Sequence, residues 1–147
     1  VCAAHPPRVA SAGLPFLVAE LRDRAALARA RPRIAALEAL RGEGVSDFVL
    51  VYVQEPEAPD LRARMFAPLD GVPEDPATGS AACALAGLLA DCHPRADADP
   101  AWRIAQGIEM GRPSTLQARA CKRAGRVTGT WVGGHCVRVG EGSLGLD

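Results

Sequence analysis

The stretch SAACALAGLLAD, residues Ser80 to Asp91, predicts a helix that has no polar stripe. Alanine and leucine occur on every side of this helix, so none of its faces is suited to water. A helix that is apolar all round must be buried, and small residues such as Gly87 allow strands to approach it closely. We therefore predict an α+β fold in which a curved antiparallel sheet wraps around one central buried helix.

The segments on both sides of this helix predict the strands of that sheet. Residues 8–20 predict two short strands joined by a turn, and residues 23–40 predict two short helices, the second of which ends at Gly42. Two further strands precede a loop that begins after Asp70, and four more follow the central helix. These six strands are predicted at Asp47–Gln54, Leu61–Pro68, Ile104–Met110, Ser114–Lys122, Arg126–Val132 and Cys136–Val139. A hairpin turn at Gly133-Gly134 is expected between the last two of them.

Length and composition limit the classes of function. The 147 residues suit one domain over residues 1–147, and the balance of 17 Lys plus Arg against 17 Asp plus Glu provides no basic surface for nucleic acid. The longest uncharged apolar run, residues 81–90, is too short to cross a membrane, and the first residues do not resemble a signal peptide. We therefore expect a cytoplasmic protein. Because the chain begins with Val1 rather than Met, we expect a fragment or a processed product.

Cysteine and histidine predict neither a disulfide framework nor a metal site. The five cysteines are odd in number and scattered, which is typical of buried or half-buried thiols. One of them, Cys83, lies in the apolar helix and is expected to pack in the core. The three histidines are too far apart in sequence to suggest a metal cluster.

The residues that precede the central helix carry the chemistry. Residues 74–80 (EDPATGS) supply carboxylates, two hydroxyls and a glycine next to the free amides and partial positive charge of a helix N-terminus. These features predict a site for an anionic group, with Asp75 beside it as acid or base and with Gly79 allowing close approach to the backbone. The alternative is purely structural: Thr78 or Ser80 caps the helix, and Asp75-Pro76 makes a turn. The residues alone leave both interpretations open.

Residues 64–81 (RMFAPLDGVPEDPATGSA) closely resemble the second signature of the PhzF family of phenazine-biosynthesis isomerases. Matches to the same family cover nearly the whole chain, at residues 11–15 (SAGLP), 106–107 (QG), 110–114 (MGRPS), 132–134 (VGG) and 142–144 (GSL). The resemblance implies the C-terminal half of a diaminopimelate-epimerase-like fold. In that fold each of two similar halves wraps a curved sheet around a helix, and the active site lies in the cleft between the halves. Members of the family work without a metal or an organic cofactor.

The resemblance also implies roles for individual residues. Asp75 matches the acidic residue of the second half, in a cofactor-independent isomerase or epimerase that transfers a proton on a small carboxylate-bearing substrate. The best-known member acts in this way on trans-2,3-dihydro-3-hydroxyanthranilate. Ser80 matches a substrate-contacting serine, the amides of Gly79 and Ser80 would hold the substrate carboxylate, and Thr78 would support them. Further supporting residues are Glu74, Gln106, Gly107 and Arg112.

Three arginines are predicted to have other roles. Arg62 and Arg64 alternate with apolar residues along a strand, which is typical of a solvated face. Arg112 either pairs with a substrate anion or, as an arginine in a Gly-Arg-Pro turn more often does, anchors loop carbonyls or a carboxylate.

The family's first-half motifs, a Ser-Glu string that contains the proton-abstracting glutamate and a Gly-His motif, are not found in this sequence. Glu20, Glu38 and Glu109 lie in other contexts, as do His5 and His135. We therefore expect the chain to need a PhzF-type N-terminal half. Two alternatives remain: a homodimer in which two copies of Asp75 share a proton, and a non-catalytic binding or assembly domain or decayed half-enzyme. The substrate stays open, because its recognition in this family depends on both halves.

Overall fold

Eight strands and three α-helices make up the part of the chain described by the computed structural model, residues 5–57 and 59–145. Cys2, one of the five cysteines predicted to be buried or half-buried thiols, lies outside these residues. The strands are β1 (Arg8–Ser11), β2 (Pro15–Glu20), β3 (Val49–Gln54), β4 (Leu61–Ala67), β5 (Val72–Asp75), β6 (Ala101–Gln106), β7 (Ser114–Arg123) and β8 (Arg126–Gly134). The helices are α1 (Arg24–Arg29), α2 (Ile34–Gly42) and α3 (Gly79–Asp91), and a 3-10 turn, Pro68–Asp70, separates β4 from β5.

The strands form one mixed, curled sheet in the order β1-β2-β3-β4-β6-β7-β8, with β5 also paired to β4. The pairs β2–β3 and β4–β6 are parallel, so the prediction of an antiparallel sheet is wrong in this respect. Strands that run in the same direction need a crossover connection, which α1 and α2 provide for the first pair and α3 for the second. The combination of one curled sheet and a few helices agrees with the predicted α+β class.

Helix α3 lies on the inner side of the sheet and contacts β1, β2, β6, β7 and β8. Leu85 and Ala86 on this helix are fully buried. A Cβ atom added at Gly87 would lie 3.4 Å from the Thr130 Cγ2 atom, which shows how closely β8 packs against the helix. The prediction of one apolar helix enclosed by a curved sheet is confirmed. Helix α3 has 13 residues, and no helix in the described part of the chain is long and apolar enough to cross a membrane.

Helices α1 and α2 cover part of the outer side of the sheet, where Leu27 and Leu37 are buried. Arg64 on β4 also points to this side and is only 3% exposed, while the Arg62 side chain is 23% exposed. The prediction that both arginines face solvent is therefore wrong. Their alternation along the strand was recognised correctly, but the crossover helix α1 packs against β3 and β4 and covers Arg64, while Arg62 pairs with Glu109.

The sheet does not close around α3, because β1 and β8 are its two edges. Between them lies a groove of about 480 Å³ whose lining includes Cys83 and Gly87 of the helix. Cys83 was predicted to pack in the core, but it is half-buried at the bottom of this groove. The four described cysteines, Cys83, Cys92, Cys121 and Cys136, are free, and Cys92 and Cys136 are exposed rather than buried.

The C-terminal strands differ from the prediction in their connections. Strand β6 ends at Gln106, and β8 continues through Gly133 and Gly134, which pair with β7. The hairpin turn instead lies at Ala124-Gly125, where both residues have positive φ, as a two-residue hairpin turn requires. The predicted strand Cys136–Val139 and the Gly-Gly turn before it are wrong, since residues 135–145 have no regular structure.

Leu85→Ala is expected to lower the free energy of unfolding by about 2–5 kcal/mol, because the removed side chain is fully buried against the sheet and leaves a cavity. Urea denaturation followed by circular dichroism measures this change. Ile34→Ala on α2 is the control, with a side chain that is 46% exposed and an expected change of less than about 1 kcal/mol. Equal losses in the two variants would contradict the central position of α3.

Candidate active site

Two strands that share one edge of β4 bring the site together. Strand β6 pairs with the first part of this edge, where Gln106 lies opposite Ala63. Strand β5 pairs with the second part, where Asp75 lies opposite Met65. Strand β6 runs parallel to β4 and β5 runs antiparallel to it, so the last residues of the two strands meet two positions apart along β4. Residues 31 positions apart in sequence are thereby placed in contact.

In the turn between β5 and α3, the hydroxyl of Thr78 holds the Asp75 carboxylate. Thr78 Oγ1 donates a 2.6 Å hydrogen bond to Asp75 Oδ2. Gln106 Nε2 donates to the Asp75 carbonyl at 2.7 Å and to Thr78 Oγ1 at 3.0 Å, while its Oε1 accepts from the Thr78 amide at 3.4 Å. Gln106 is 1% exposed and Thr78 is 8% exposed, so this network is largely excluded from water. Asp75 itself is half-buried.

The N-terminus of α3 follows directly. Thr78 is the N-cap residue, but its hydroxyl oxygen accepts no hydrogen bond from the first amides of α3, and its hydroxyl donates to Asp75 instead. Within the described part of the chain, the amides of Gly79, Ser80 and Ala81 have no acceptor. Ser80 is exposed and Gly79 is half-buried. Three free amides and the positive end of the helix dipole therefore stand beside a carboxylate, an arrangement that suits binding of an anion.

Glu74 is held by Arg64 on the outer side of the sheet. The guanidinium donates to both carboxylate oxygens, at 2.8 Å from Nε and 2.7 Å from Nη2, and Nη1 donates to the α1 carbonyls of Leu27 and Ala30. These hydrogen bonds to Glu74 raise the pKa of Arg64. Arg64 thus fastens the strand that carries Asp75 to the end of α1. Sequence reasoning missed this contact, because the crossover that places α1 over Arg64 follows from the parallel pairing of β2 and β3, which was not predicted.

Gly107 closes the turn that follows Gln106. Its φ is +77°, and an added Cβ would lie 2.2 Å from the Arg112 carbonyl oxygen and 2.9 Å from that of Pro76. The Arg112 amide donates to the Gly107 carbonyl at 2.9 Å. The Arg112 side chain is exposed, and within the described residues its guanidinium has no hydrogen-bond partner. The prediction that this guanidinium anchors loop carbonyls is therefore wrong, because the backbone closes the turn instead.

Three of the other acid and base candidates are engaged away from Asp75. Glu20 accepts hydrogen bonds from Tyr52 and Gln54, and the His5 Nε2 atom lies 2.9 Å from the Tyr52 hydroxyl. Burial raises the pKa of this tyrosine well above its ordinary value. Glu109 pairs with Arg62 at 2.8 Å, and its buried Oε2 atom has no partner among the described residues.

Among the residues that the structure describes, no group of three His, Cys, Asp or Glu side chains is placed to hold a metal ion. The groups that the site does offer are one carboxylate, a set of free amides and a hydroxyl already bonded to that carboxylate. This arrangement can bind an anion and exchange a proton with it.

The family model of PhzC-PhzF, described as phenazine biosynthesis-like protein, matches residues 2–142. An uncharacterized isomerase of Mesorhizobium japonicum is 33% identical over 139 residues, which is 91% of this chain and 46% of that protein. The trans-2,3-dihydro-3-hydroxyanthranilate isomerase of Pseudomonas chlororaphis is 47% identical over 85 residues, which is 58% of this chain and 30% of that protein. The chain therefore spans less than half of the length of these curated relatives.

Solved structures give the same picture of the fold. A PhzF-family phenazine biosynthesis protein of Bacillus anthracis superimposes with a TM-score of 0.71 at 16% identity, over 83% of this chain and 42% of that one. A protein of Pseudomonas aeruginosa described as a predicted epimerase superimposes with a TM-score of 0.62 at 34% identity, over 90% of this chain and 43% of that one.

Gly107→Ala is expected to destabilise the chain more than Gly111→Ala, although both glycines have φ of +77°. Gly111 has nothing within 4 Å of an added Cβ, so its substitution costs only the backbone strain of about 1–2 kcal/mol. At Gly107 the clash with two carbonyl oxygens adds about 1–3 kcal/mol. Urea denaturation of both variants measures the difference, and equal losses would contradict the close turn.

Arg64→Met is expected to lower the free energy of unfolding by about 3–5 kcal/mol, because it leaves Glu74, whose side chain is 14% exposed, without its cation. The control is Arg123→Met, which breaks an exposed pair with Asp99 and should cost about 1 kcal/mol or less. Adding Glu74→Met to Arg64→Met should recover part of the loss. A double variant that is less stable than the single one would contradict the pairing.

Proposed function

This chain belongs to the PhzC-PhzF family of phenazine biosynthesis-like proteins, and we propose that it supplies one half of the active site of a cofactor-independent isomerase or epimerase. The substrate class is a small molecule that carries a carboxylate. In this proposal the free amides of Gly79 and Ser80 hold the substrate carboxylate, and Asp75 donates or accepts the proton that moves. The single observation that carries the proposal is the half-buried Asp75 carboxylate beside the uncapped N-terminus of a buried helix.

The position of the carboxylate supports acid–base chemistry rather than simple capping. An aspartate that only capped the helix would accept hydrogen bonds from the first amides of α3. Asp75 instead accepts from the Thr78 hydroxyl, which leaves those amides free for a ligand. A substrate anion bound there would lie near a proton-transferring group, as general acid–base catalysis requires.

A second half completes the site in this proposal. The arrangement is diaminopimelate-epimerase-like: two similar halves face each other, and the N-termini of their central helices converge on the substrate. The length of the relatives supports this, since the chain aligns with only 46% of one and 30% of the other. The exposure of large apolar side chains in residues 135–145 also supports it, with Val137 84% and Val139 94% exposed.

A non-catalytic binding domain is the second candidate. The observation that favours it is that the described site holds one carboxylate, while Glu20 and Glu109 are bonded elsewhere. A homodimer that brings two copies of Asp75 together would restore a second acid. Both alternatives are outcomes of the following experiment.

Asp75→Asn is expected to lower the rate of proton transfer by about 10²- to 10⁴-fold, because the amide cannot exchange the proton. The chain is co-expressed with the first half of the Mesorhizobium relative. Deuterium incorporation from solvent is then measured in trans-2,3-dihydro-3-hydroxyanthranilate and in a panel of small carboxylates. Asp70→Asn is the matched control, since Asp70 lies in the 3-10 turn beside Arg41 with a side chain 44% exposed, and should leave the rate within about twofold.

Three results decide between the candidates. Exchange only with the first half present supports the proposed half-site, and exchange by the chain alone as a dimer supports the shared-carboxylate alternative. Saturable carboxylate binding without any exchange identifies a binding domain. Full activity in Asp75→Asn would overturn the role of Asp75.

A further inference from the structure

We propose that Thr78 and Gln106 form a directional hydrogen-bond relay that orients Asp75, so that Thr78 acts through Asp75 and not on the substrate. This inference rests on the proposed role of Asp75 in proton transfer. It concerns two residues that the family resemblance assigns only to support or substrate contact.

The orientation of the Gln106 amide is fixed by its contacts. Its Oε1 atom faces the Thr78 N–H group, which can only donate, and its Nε2 atom faces the Asp75 carbonyl, which can only accept. The amide nitrogen of Gln106 must therefore lie on the side of the Asp75 carbonyl, and its oxygen on the side of the Thr78 amide. Because this nitrogen also contacts Thr78 Oγ1 at 3.0 Å, it donates to that oxygen.

The direction of the Thr78 hydroxyl follows. Nε2 of Gln106 has no acceptor function, so the hydroxyl proton cannot point towards it. The proton points instead to Asp75 Oδ2, at a distance of 2.6 Å that is typical of a hydroxyl bound to a charged carboxylate. A hydroxyl has one proton, and Thr78 has spent it on Asp75. None remains for donation to a ligand.

The other oxygen of Asp75 is thereby the reactive one. Oδ1 has no hydrogen-bond partner among the described residues, yet it is not sealed from solvent. Oδ2 is held by the relay, so Oδ1 is the atom that takes or gives the proton. Gln106, which is almost fully buried and bonded to both ends of the Asp75–Thr78 turn, fixes the position of the whole unit.

The first test follows turnover of the chain supplied with a PhzF-type first half. Thr78→Val removes the hydroxyl but keeps the branched shape, and should lower kcat about 10- to 100-fold, the range of one hydrogen bond to a charged group. KM should stay within about twofold, and Thr78→Ser should restore most of kcat. A raised KM with unchanged kcat would overturn the inference, because it would mean that Thr78 contacts the substrate.

The second test does not depend on turnover, and so separates this inference from the proposed function. Proton NMR of the same assembly should show a slowly exchanging hydroxyl signal for Thr78, whereas exposed Thr115 on β7 serves as the reference for fast exchange. Gln106→Met, which keeps the length of the side chain, should speed exchange at Thr78 at least about tenfold. Exchange at Thr78 as fast as at Thr115 in the unsubstituted chain would overturn the relay. An inactive assembly that still shows the protected hydroxyl would contradict only the proposed function.

Discussion

The burial of α3 is the constraint on which the rest of the structure depends. A helix that is apolar on every side has to be covered, and the curled sheet covers α3 except at the groove between β1 and β8. The first turn of the helix is different, because its amides have no partner within the helix and its dipole favours negative charge there. Thr78 stands at the N-cap position but does not cap. The burial of α3 that builds the core therefore also leaves the first amides of the helix without hydrogen-bond acceptors in the described chain, at a position that favours negative charge.

The mixed topology of the sheet places Asp75 at that point. Strand β4 is shared along one edge by β6 and β5, which run in opposite directions and end beside one another. This arrangement brings Gln106 to the turn that precedes α3, and Arg64 fastens the preceding residue, Glu74, from the outer side of the sheet. The end of β5, which carries Asp75, is thus held by contacts on both sides of the sheet, and one carboxylate oxygen of Asp75 has no hydrogen-bond partner among the described residues.

Much of this could be predicted from the sequence, and the exceptions have physical causes. The central helix and most strands were predicted because their apolar patterns are local. Parallel pairing was missed because strand direction is set by distant crossovers, which also bury Arg64 in spite of its alternating pattern. The Gly133-Gly134 turn was misplaced because glycine pairs also occur within strands, as these do in β8. Asp75 was proposed as acid or base from the residues before α3 and from the family resemblance, and Thr78 and Gln106 were proposed as site residues from the resemblance, whereas their hydrogen bonds required the fold.

The most direct test of this account is a titration of the ¹⁵N-labelled chain with 2-aminobenzoate, in the presence of an unlabelled PhzF-type first half. The account predicts saturable chemical-shift changes that are largest at the amides of Gly79, Ser80 and Ala81, since these groups have no acceptor within the described chain. Saturable changes confined to other surfaces, with these three amides unmoved, would contradict the claim that the N-terminus of α3 is the anion-binding half of the site.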